Sequence, residues 1–546
     1  MTMHRGADIV ARTLERLGTT RIFTLSGNHV MPLFDALLST GIEIVHVRQE
    51  AACVHMADAW GRLTGEVGVA LVTGGQGHSN GTAALFTALA AESPVLLLSG
   101  HAALGELGRG AFQELAQADV ARPMAKASWT AAALATLADD LLRAVRIARE
   151  GRPGPVHLSL PVDLLEAKAS SDAVILPNAA AASVGARAAD PALMDATVRH
   201  LAAAERPLII CGPVLCDESG RRAMAELENT SGVPVLGMES PRGVSDPALG
   251  CFAEILAEAD LLVLLGKPLD FTLKFGDSPV VSRSCGLIVI DPDPALLARA
   301  SRADPTRLLA GGIADSRRVI SDLATRLAAP GSATPWQARV RDARAYALPE
   351  WDSAAGSPGR LHPVELCRAV GAFLDRHPGG TLICDGCEIG QWPQALIKAQ
   401  RRLINGVSGT IGASIPFAIA AKLLSPEEPV VAILGDGSFG FHMAEFDTAA
   451  RYGLPIIAVV GNDARWNAEY QIQLRHYGAE RARHCDLLPT RYDQVVVALG
   501  GFGLLATTPA ELAEGLEQAH ASRKPACINV MIDGVAAPSI RRSATV

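Results

Sequence analysis

The sequence predicts an α/β protein made of three doubly wound parallel-sheet domains in a row. Three observations predict it. Short apolar runs alternate with helix-period stretches along the whole chain, the pattern of parallel sheets covered by helices. At 546 residues the chain is too long for one hydrophobic core. Two stretches read as linkers: 168–189, polar and rich in Ala, and about 329–358, rich in Pro, Ala, Ser and Gly. The expected domains are therefore 1–170, 188–330 and 360–546.

In the first block the strand-like runs are 21–25, 43–47, 67–73, 94–99 and 156–161. Before them, 1–17 reads as an amphipathic helix with Ile9, Val10, Leu14 and Leu17 on one face. That segment has neither the apolar centre nor the small-residue cleavage site of a signal peptide. The second block has runs at 207–211, 233–236, 261–265 and 287–290. The third has them at 380–384, 430–434, 455–460 and 526–531. The longest apolar stretch, 406–421, is interrupted by Ser408, Thr410, Ser414 and Pro416, so a buried segment is expected rather than a membrane span. A net charge of -8 argues against nucleic acid or an anionic membrane as the main partner. A cytoplasmic location is the expectation. Cys384 and Cys387 form a C-x-x-C, but without a second pair they read as ordinary cysteines at a strand end.

The chemistry concentrates in the third block. The apolar run at 430–434 is followed directly by Gly435-Asp436-Gly437-Ser438. A helical segment and a second strand follow, ending in Gly461-Asn462-Asp463. Right-handed crossover places two such strands side by side or nearly so, with both carboxylates at the ligand-binding edge of the sheet. Two carboxylates and a phosphate group satisfy the oxygen-rich octahedron of Mg²⁺. Glycines let backbone N–H groups approach phosphate oxygens. Alone, Gly-Asp-Gly is an ordinary turn; the paired Asn-Asp makes it a candidate site.

The string GDGSFGFHMAEFDTAARYGLPIIAVVGND resembles the signature of enzymes that use thiamine diphosphate (ThDP): Gly-Asp-Gly, a spacer, then Asn-Asn or Asn-Asp. The resemblance implies that the Asp436 and Asp463 side chains and the Arg465 backbone carbonyl hold Mg²⁺, with Gly437 and Ser438 beside the diphosphate. Asp463 departs from the more usual Asn and adds a negative charge while keeping an oxygen ligand. Upstream, RQEAACVHMADAWGRLTG resembles the segment in the acetolactate-synthase and benzaldehyde-lyase group whose Glu activates ThDP. Arg48, Glu50, Ala52, Ala57 and Arg62 match, and Ala59 replaces a Gly. Glu50 would hydrogen-bond the pyrimidine ring so that the ring can take the C2 proton, and its burial would favour that transfer. The stretch from Gly406 to Pro416 resembles the family's G-T-M-G segment, which places Ile411 as the bulky residue that bends the coenzyme and the Gly409 carbonyl as acceptor of its amino group.

On the substrate side, the segment around Phe112-Gln113-Glu114 resembles the A-F-Q-E string of the same group, which puts Gln113 near the thiazolium ring. His29 lies in a loop where benzaldehyde-lyase-like members use a His to move a hydroxyl proton. His78 is a second candidate, and Trp466 and Tyr470, four apart, are either core or pocket wall.

The resemblance covers nearly the whole chain, in the order pyrimidine-binding, central and diphosphate-binding domain. The string from Lys267 to Gly276 is similar to the corresponding region of oxalyl-CoA decarboxylases and 2-hydroxyacyl-CoA lyases and points to an acyl-CoA among the substrates. Residues 209–216 hold one glycine where a dinucleotide loop would want several. The family builds its site between two chains, Glu50 from one and Asp436 from the other, so a homodimer or homotetramer is implied. The implied activity is that of a lyase or carboligase acting beside a carbonyl of 2-oxo or 2-hydroxy compounds. Acetolactate synthase and a non-catalytic ThDP-binding protein are the alternatives.

Overall fold

The computed structural model describes residues 3–170, 174–327 and 334–542, which form two compact units. The first comprises Met1–Gly185 with Ile415–Pro426 and His442–Leu454. Its six-stranded parallel sheet runs Glu43–His46, Arg21–Thr24, Gly68–Val72, Val95–His101, Val156–Pro161, Ala127–Thr130. The helix Gly6–Arg16 packs Ile9, Val10 and Leu14 into a core shared with Val69, Leu96 and Leu158. Each such fully buried side chain contributes about 1.5–3 kcal/mol.

Two expectations for this unit change. The first residues are not helical: Met3–Arg5 pairs antiparallel with Lys168–Ser170, inside the expected linker. The helix starts only at Gly6, where a Cβ would lie 2.0 Å from the Leu164 carbonyl oxygen. The apolar segment near 406–421 is buried, as expected. Its helix, Ser414–Leu424, has Ile415, Phe417, Ala418 and Ile419 all inaccessible, as a helix apolar on every side must be. Phe417 lies edge-on to His55, with the Arg62 guanidinium over its ring at 4.9 Å.

The second unit, Ala186–Ser414, Glu427–Phe441 and Pro455–Val546, holds two parallel sheets. The five-stranded one runs Val235–Gly237, Pro207–Cys211, Leu261–Leu265, Gly286–Ile290, Leu308–Gly312. The six-stranded one runs Arg401–Ile404, Thr381–Cys384, Val430–Gly435, Ile456–Asn462, Ala526–Met531, Phe502–Ala506. Numbered from their own first strands, both six-stranded sheets have the order 2-1-3-4-6-5. The chain thus carries the three parallel sheets that its sequence predicts.

Four strands escape the apolar pattern: Ala127–Thr130, Leu308–Gly312, Arg401–Ile404 and Phe502–Ala506. Each lies at a sheet edge. Glycine or polar residues interrupt the apolar run in each, which an edge strand, covered less completely than a central one, tolerates. The stretch 329–358 is also more than a linker. Pro335–Arg344 is a helix, capped by the Thr334 side chain, and buried Trp336 donates its indole N–H to the Pro207 carbonyl at 2.8 Å. Thr followed by Pro is a helix-start signal that composition alone conceals. All ten cysteines are free thiols. Burial pushes the Cys384 thiol up to about 12, and the Cys387 sulfur accepts the Gly435 N–H at 3.0 Å. No described helix is long and apolar enough to cross a membrane.

Candidate active site

Strands Val430–Gly435 and Ile456–Asn462 are neighbours, and Gly435 pairs with Gly461 in register. The residues that follow, Asp436 and Asp463, therefore leave the sheet side by side. Both line one cavity of about 150 Å³, together with Gly409, Ile411, Gly437, Ser438 and Arg465. Every residue that the sequence assigns to the metal or the diphosphate side is at this cavity.

The cavity's chemistry follows from burial. The Asp436 carboxylate accepts N–H groups of Gly437 at 3.0 Å and Arg465 at 3.2 Å, yet burial still pushes it up to about 6. Burial, and then the neighbouring Asp436 charge, push Asp463 up to about 7. The Arg465 charge lowers Asp463 but does not offset its burial, so a further cation at this place would favour the charged form of both acids. Gly437 has no room for a side chain, because a Cβ there would fall 2.6 Å from the Trp466 ring. Among the described residues the buried Ser438 hydroxyl has no oxygen or nitrogen partner, and the weakly polar Cys387 thiol is beside it. A diphosphate bridged to a divalent cation supplies what these groups lack: acceptor oxygens for the hydroxyl and positive charge for the acids. Gly409 is in the left-handed region at φ 71°. Trp466 is pocket wall, whereas Tyr470 lies under the Arg465 guanidinium at 3.9 Å.

In the first unit, Glu50, His29 and Gln113 meet one segment, Thr73 to Gly77, where the chain leaves the strand Gly68–Val72 and enters the helix Gln76–Ala90. His29 Nδ1 lies 3.2 Å from Thr73 Oγ1. A Cβ on Gly77 would sit 3.4 Å from Glu50 Oε1, and one on Gly75 only 2.5 Å from the Gln113 carbonyl oxygen. Gln113 itself is held at φ 56°, a strained value for a side-chain-bearing residue. Burial lowers the pKa of His29, so its imidazole is neutral at pH 7. Glu50 opens the helix Glu50–Thr64 behind Gln49, whose side-chain oxygen accepts from Ala51 N and Ala52 N. Within the single chain it is only half-buried, short of the burial expected for it.

The chain matches the family described as "Thiamine pyrophosphate enzyme, N-terminal TPP binding domain" over residues 4–120, and its C-terminal TPP binding domain over 388–530. A "Probable acetolactate synthase" of Mycobacterium bovis is 32% identical, with 97% of this chain and 96% of the relative covered. This chain belongs to the thiamine pyrophosphate enzyme family. The human "2-hydroxyacyl-CoA lyase 2" is 29% identical over 97% of this chain and 90% of the relative. A 2-hydroxyacyl-CoA lyase of Oryza sativa is 28% identical over 97% and 95%. The chain is thus a ThDP-dependent enzyme of the lyase and transferase kind, working at a carbon–carbon bond beside a carbonyl.

The sequence reading of this ThDP enzyme missed three supporting residues. Asn80 Nδ2 donates to Glu50 Oε2 at 3.1 Å. Gln117, buried, accepts from Gly75 N at 2.7 Å and donates to the Gly100 carbonyl and Ser159 Oγ. Glu445, fully buried, accepts the Arg48 N–H at 3.0 Å and so fixes the turn before Glu50. Glu445 lies inside the string that resembles the ThDP signature, between Gly-Asp-Gly and Asn-Asp, and that position is its one signal in the sequence. His78 is fully buried and bonded to Ser99 Oγ at 2.9 Å, which suits a structural place rather than a substrate contact.

Proposed function

We propose that this enzyme uses ThDP and Mg²⁺ to cleave or form the carbon–carbon bond adjacent to the carbonyl of a 2-oxo or 2-hydroxy compound. One observation carries the reading: Asp436, Asp463, Gly437, Ser438, Gly409 and Ile411, assigned from two separate motifs, line a single cavity. Asp436, Asp463 and the Arg465 carbonyl would hold the cation. Gly437 and Ser438 would receive the diphosphate. Gly409 and Ile411 would set the coenzyme's bend. When bound, ThDP supplies a carbon nucleophile and an electron sink.

The chain's own residues do the rest. Glu50 would be the carboxylate that faces the pyrimidine ring and can hold or release a proton at Oε1; Asn80 binds Oε2 and so leaves Oε1 for that role. Neutral His29 accepts the proton of a substrate hydroxyl. Gln113, fixed by its backbone against Gly75, lines the reacting end. A cavity of about 150 Å³ is small beside the roughly 300–1,000 Å³ of ordinary ligand pockets. That, with a half-buried Glu50, supports a site completed by Glu50 of a second chain, in a homodimer or homotetramer.

Complementation tests the arrangement. Glu50→Gln and Asp436→Asn chains should each be inactive alone. Refolded together they should regain about a quarter of wild-type activity, because each mixed pair keeps one intact site. No recovery from a properly mixed dimer refutes the shared site. The named acetolactate-synthase relative favours a second reading, condensation of two pyruvates. An assay with pyruvate alone decides it, and absence of acetolactate rejects it. A panel of 2-oxo acids, 2-hydroxy ketones and 2-hydroxyacyl-CoA thioesters, followed for aldehyde or CO₂, identifies the donor.

A further inference from the structure

The Lys267–Gly276 string leads by direct contacts to the edge of the coenzyme cavity. Lys267 is buried just beyond the strand Leu261–Leu265, and its Nζ donates to Thr272 Oγ1 at 2.5 Å. Asp270 Oδ1 accepts from Thr272 N at 3.0 Å and from Thr272 Oγ1 at 2.5 Å. The Thr272 backbone, fixed in this way, lies against Gly243, where a Cβ would fall 2.0 Å from the Thr272 carbonyl oxygen. Gly243 also has φ 54°, so both sterics and backbone conformation demand glycine there. The turn at 240–243 is thereby pinned. It presents Pro241, whose ring carbons lie 3.7 and 3.9 Å from the point where Gly409 would carry a Cβ.

The next residue, Arg242, is a cation beside this cavity. Its Nη2 donates to Glu388 Oε2 at 3.4 Å, a long contact, and the Arg side chain keeps 32% exposure against 12% for Glu388. Among the described residues this is the single hydrogen bond that the guanidinium donates, although arginine offers five N–H groups. Glu388 lines the cavity, and its other oxygen accepts the Ala537 N–H at 2.6 Å. Glu388 therefore keeps a partner if Arg242 turns away.

We propose that Arg242 is a specificity-determining residue that recognises a carboxylate next to the reacting carbonyl, which makes a 2-oxo acid the preferred substrate class. A carboxylate would exchange the long Glu388 contact for a bidentate, charge-assisted pair. Glu388 is then a competitor that holds the guanidinium until substrate arrives. The inference rests on reading the cavity as the coenzyme site. The coenzyme diphosphate is the other anion that Arg242 could meet. It is disfavoured because Asp436, Gly437 and Ser438 mark the phosphate end, while Pro241 meets the site at Gly409, where the coenzyme's amino group is expected, and the adjacent Arg242 meets it at Glu388.

The test uses full-length enzyme with ThDP and Mg²⁺ and compares pyruvate, acetoin and a 2-hydroxyacyl-CoA thioester. Arg242→Gln should raise KM for pyruvate about tenfold or more, the loss of one charge-assisted pair. KM for acetoin and the ThDP dissociation constant, read by calorimetry, should stay within about twofold. Glu388→Gln should move KM for pyruvate in the opposite direction, because it frees Arg242. A merely structural ion pair would move both variants and both substrates together, and that outcome overturns the assignment. Weakened ThDP binding with unchanged substrate discrimination reassigns Arg242 to the diphosphate and overturns it equally. A wild-type chain that binds ThDP but acts only on ketones or thioesters lacking the carboxylate overturns it as well. A wild-type chain that does not bind ThDP at all refutes the coenzyme reading instead.

Discussion

Replacing Asp463 by Asn should stabilise the enzyme without its cofactors and weaken its hold on the cation. Asp463 is raised from 3.8 to about 7 by burial and by the Asp436 charge. A folded-state pKa above the unfolded one means that the native chain binds a proton the unfolded chain has released. Stability contributed by this group is therefore lost as pH rises from about 4, and the full penalty is present above about 7. A rise of this size corresponds to about 4 kcal/mol. Asp463 is only half-buried, and solvent screening leaves about 2 kcal/mol. Removing that penalty should lift Tm at pH 8 by about 4–8 °C. The gain should shrink steadily below pH 7 and nearly vanish by about pH 4. Saturating Mg²⁺ with ThDP should reverse the order, since the wild type has both carboxylates for the cation. Thermal unfolding followed by fluorescence, at several pH values with and without Mg²⁺ and ThDP, reads all of this. A variant no more stable than wild type at pH 8, or a gain that does not change with pH, would refute the account of two acids raised by burial.

Glu50→Gln should still bind ThDP by calorimetry and lose activity about 100-fold or more, and activity near the wild-type level rejects Glu50 as the activator. Gly437→Ala drives a methyl into the Trp466 ring and should weaken ThDP binding about tenfold or more; an unchanged dissociation constant means that the ring yields freely. Burial lowers His78 from 6.5 to about 4, so its contribution is intact above 6.5 and is lost as pH falls towards 4, about 3 kcal/mol in all. His78→Phe should flatten the decline of urea-unfolding stability between those pH values, and an unaltered slope assigns acid sensitivity elsewhere.

Much of the cavity was legible because its residues come in short contiguous motifs at the ends of buried central strands. Such strands announce themselves as unbroken apolar runs, so Asp436 and Asp463 could be placed at neighbouring strand ends before any coordinates. Ile411 and Gly409 were legible from their motif alone. Residues whose role depends on partners distant in sequence gave no such signal. Arg48 and Glu445 are 397 positions apart, and Arg242 and Glu388 are 146 apart. Neither pairing follows from a local pattern.

What the sequence by itself determined is therefore local: periodicity, strand ends, and the identity of groups that can ligate or move a proton. Those depend on backbone geometry and side-chain chemistry within a few residues. The tertiary structure decided which of these groups share a surface. It brought Glu50, His29 and Gln113 to the Thr73–Gly77 segment, set Asp436 close enough to raise Asp463, and left the Ser438 hydroxyl without an oxygen or nitrogen partner among the described residues. Proximity and desolvation arise only when the chain closes on itself, and the chemistry of this site depends on both.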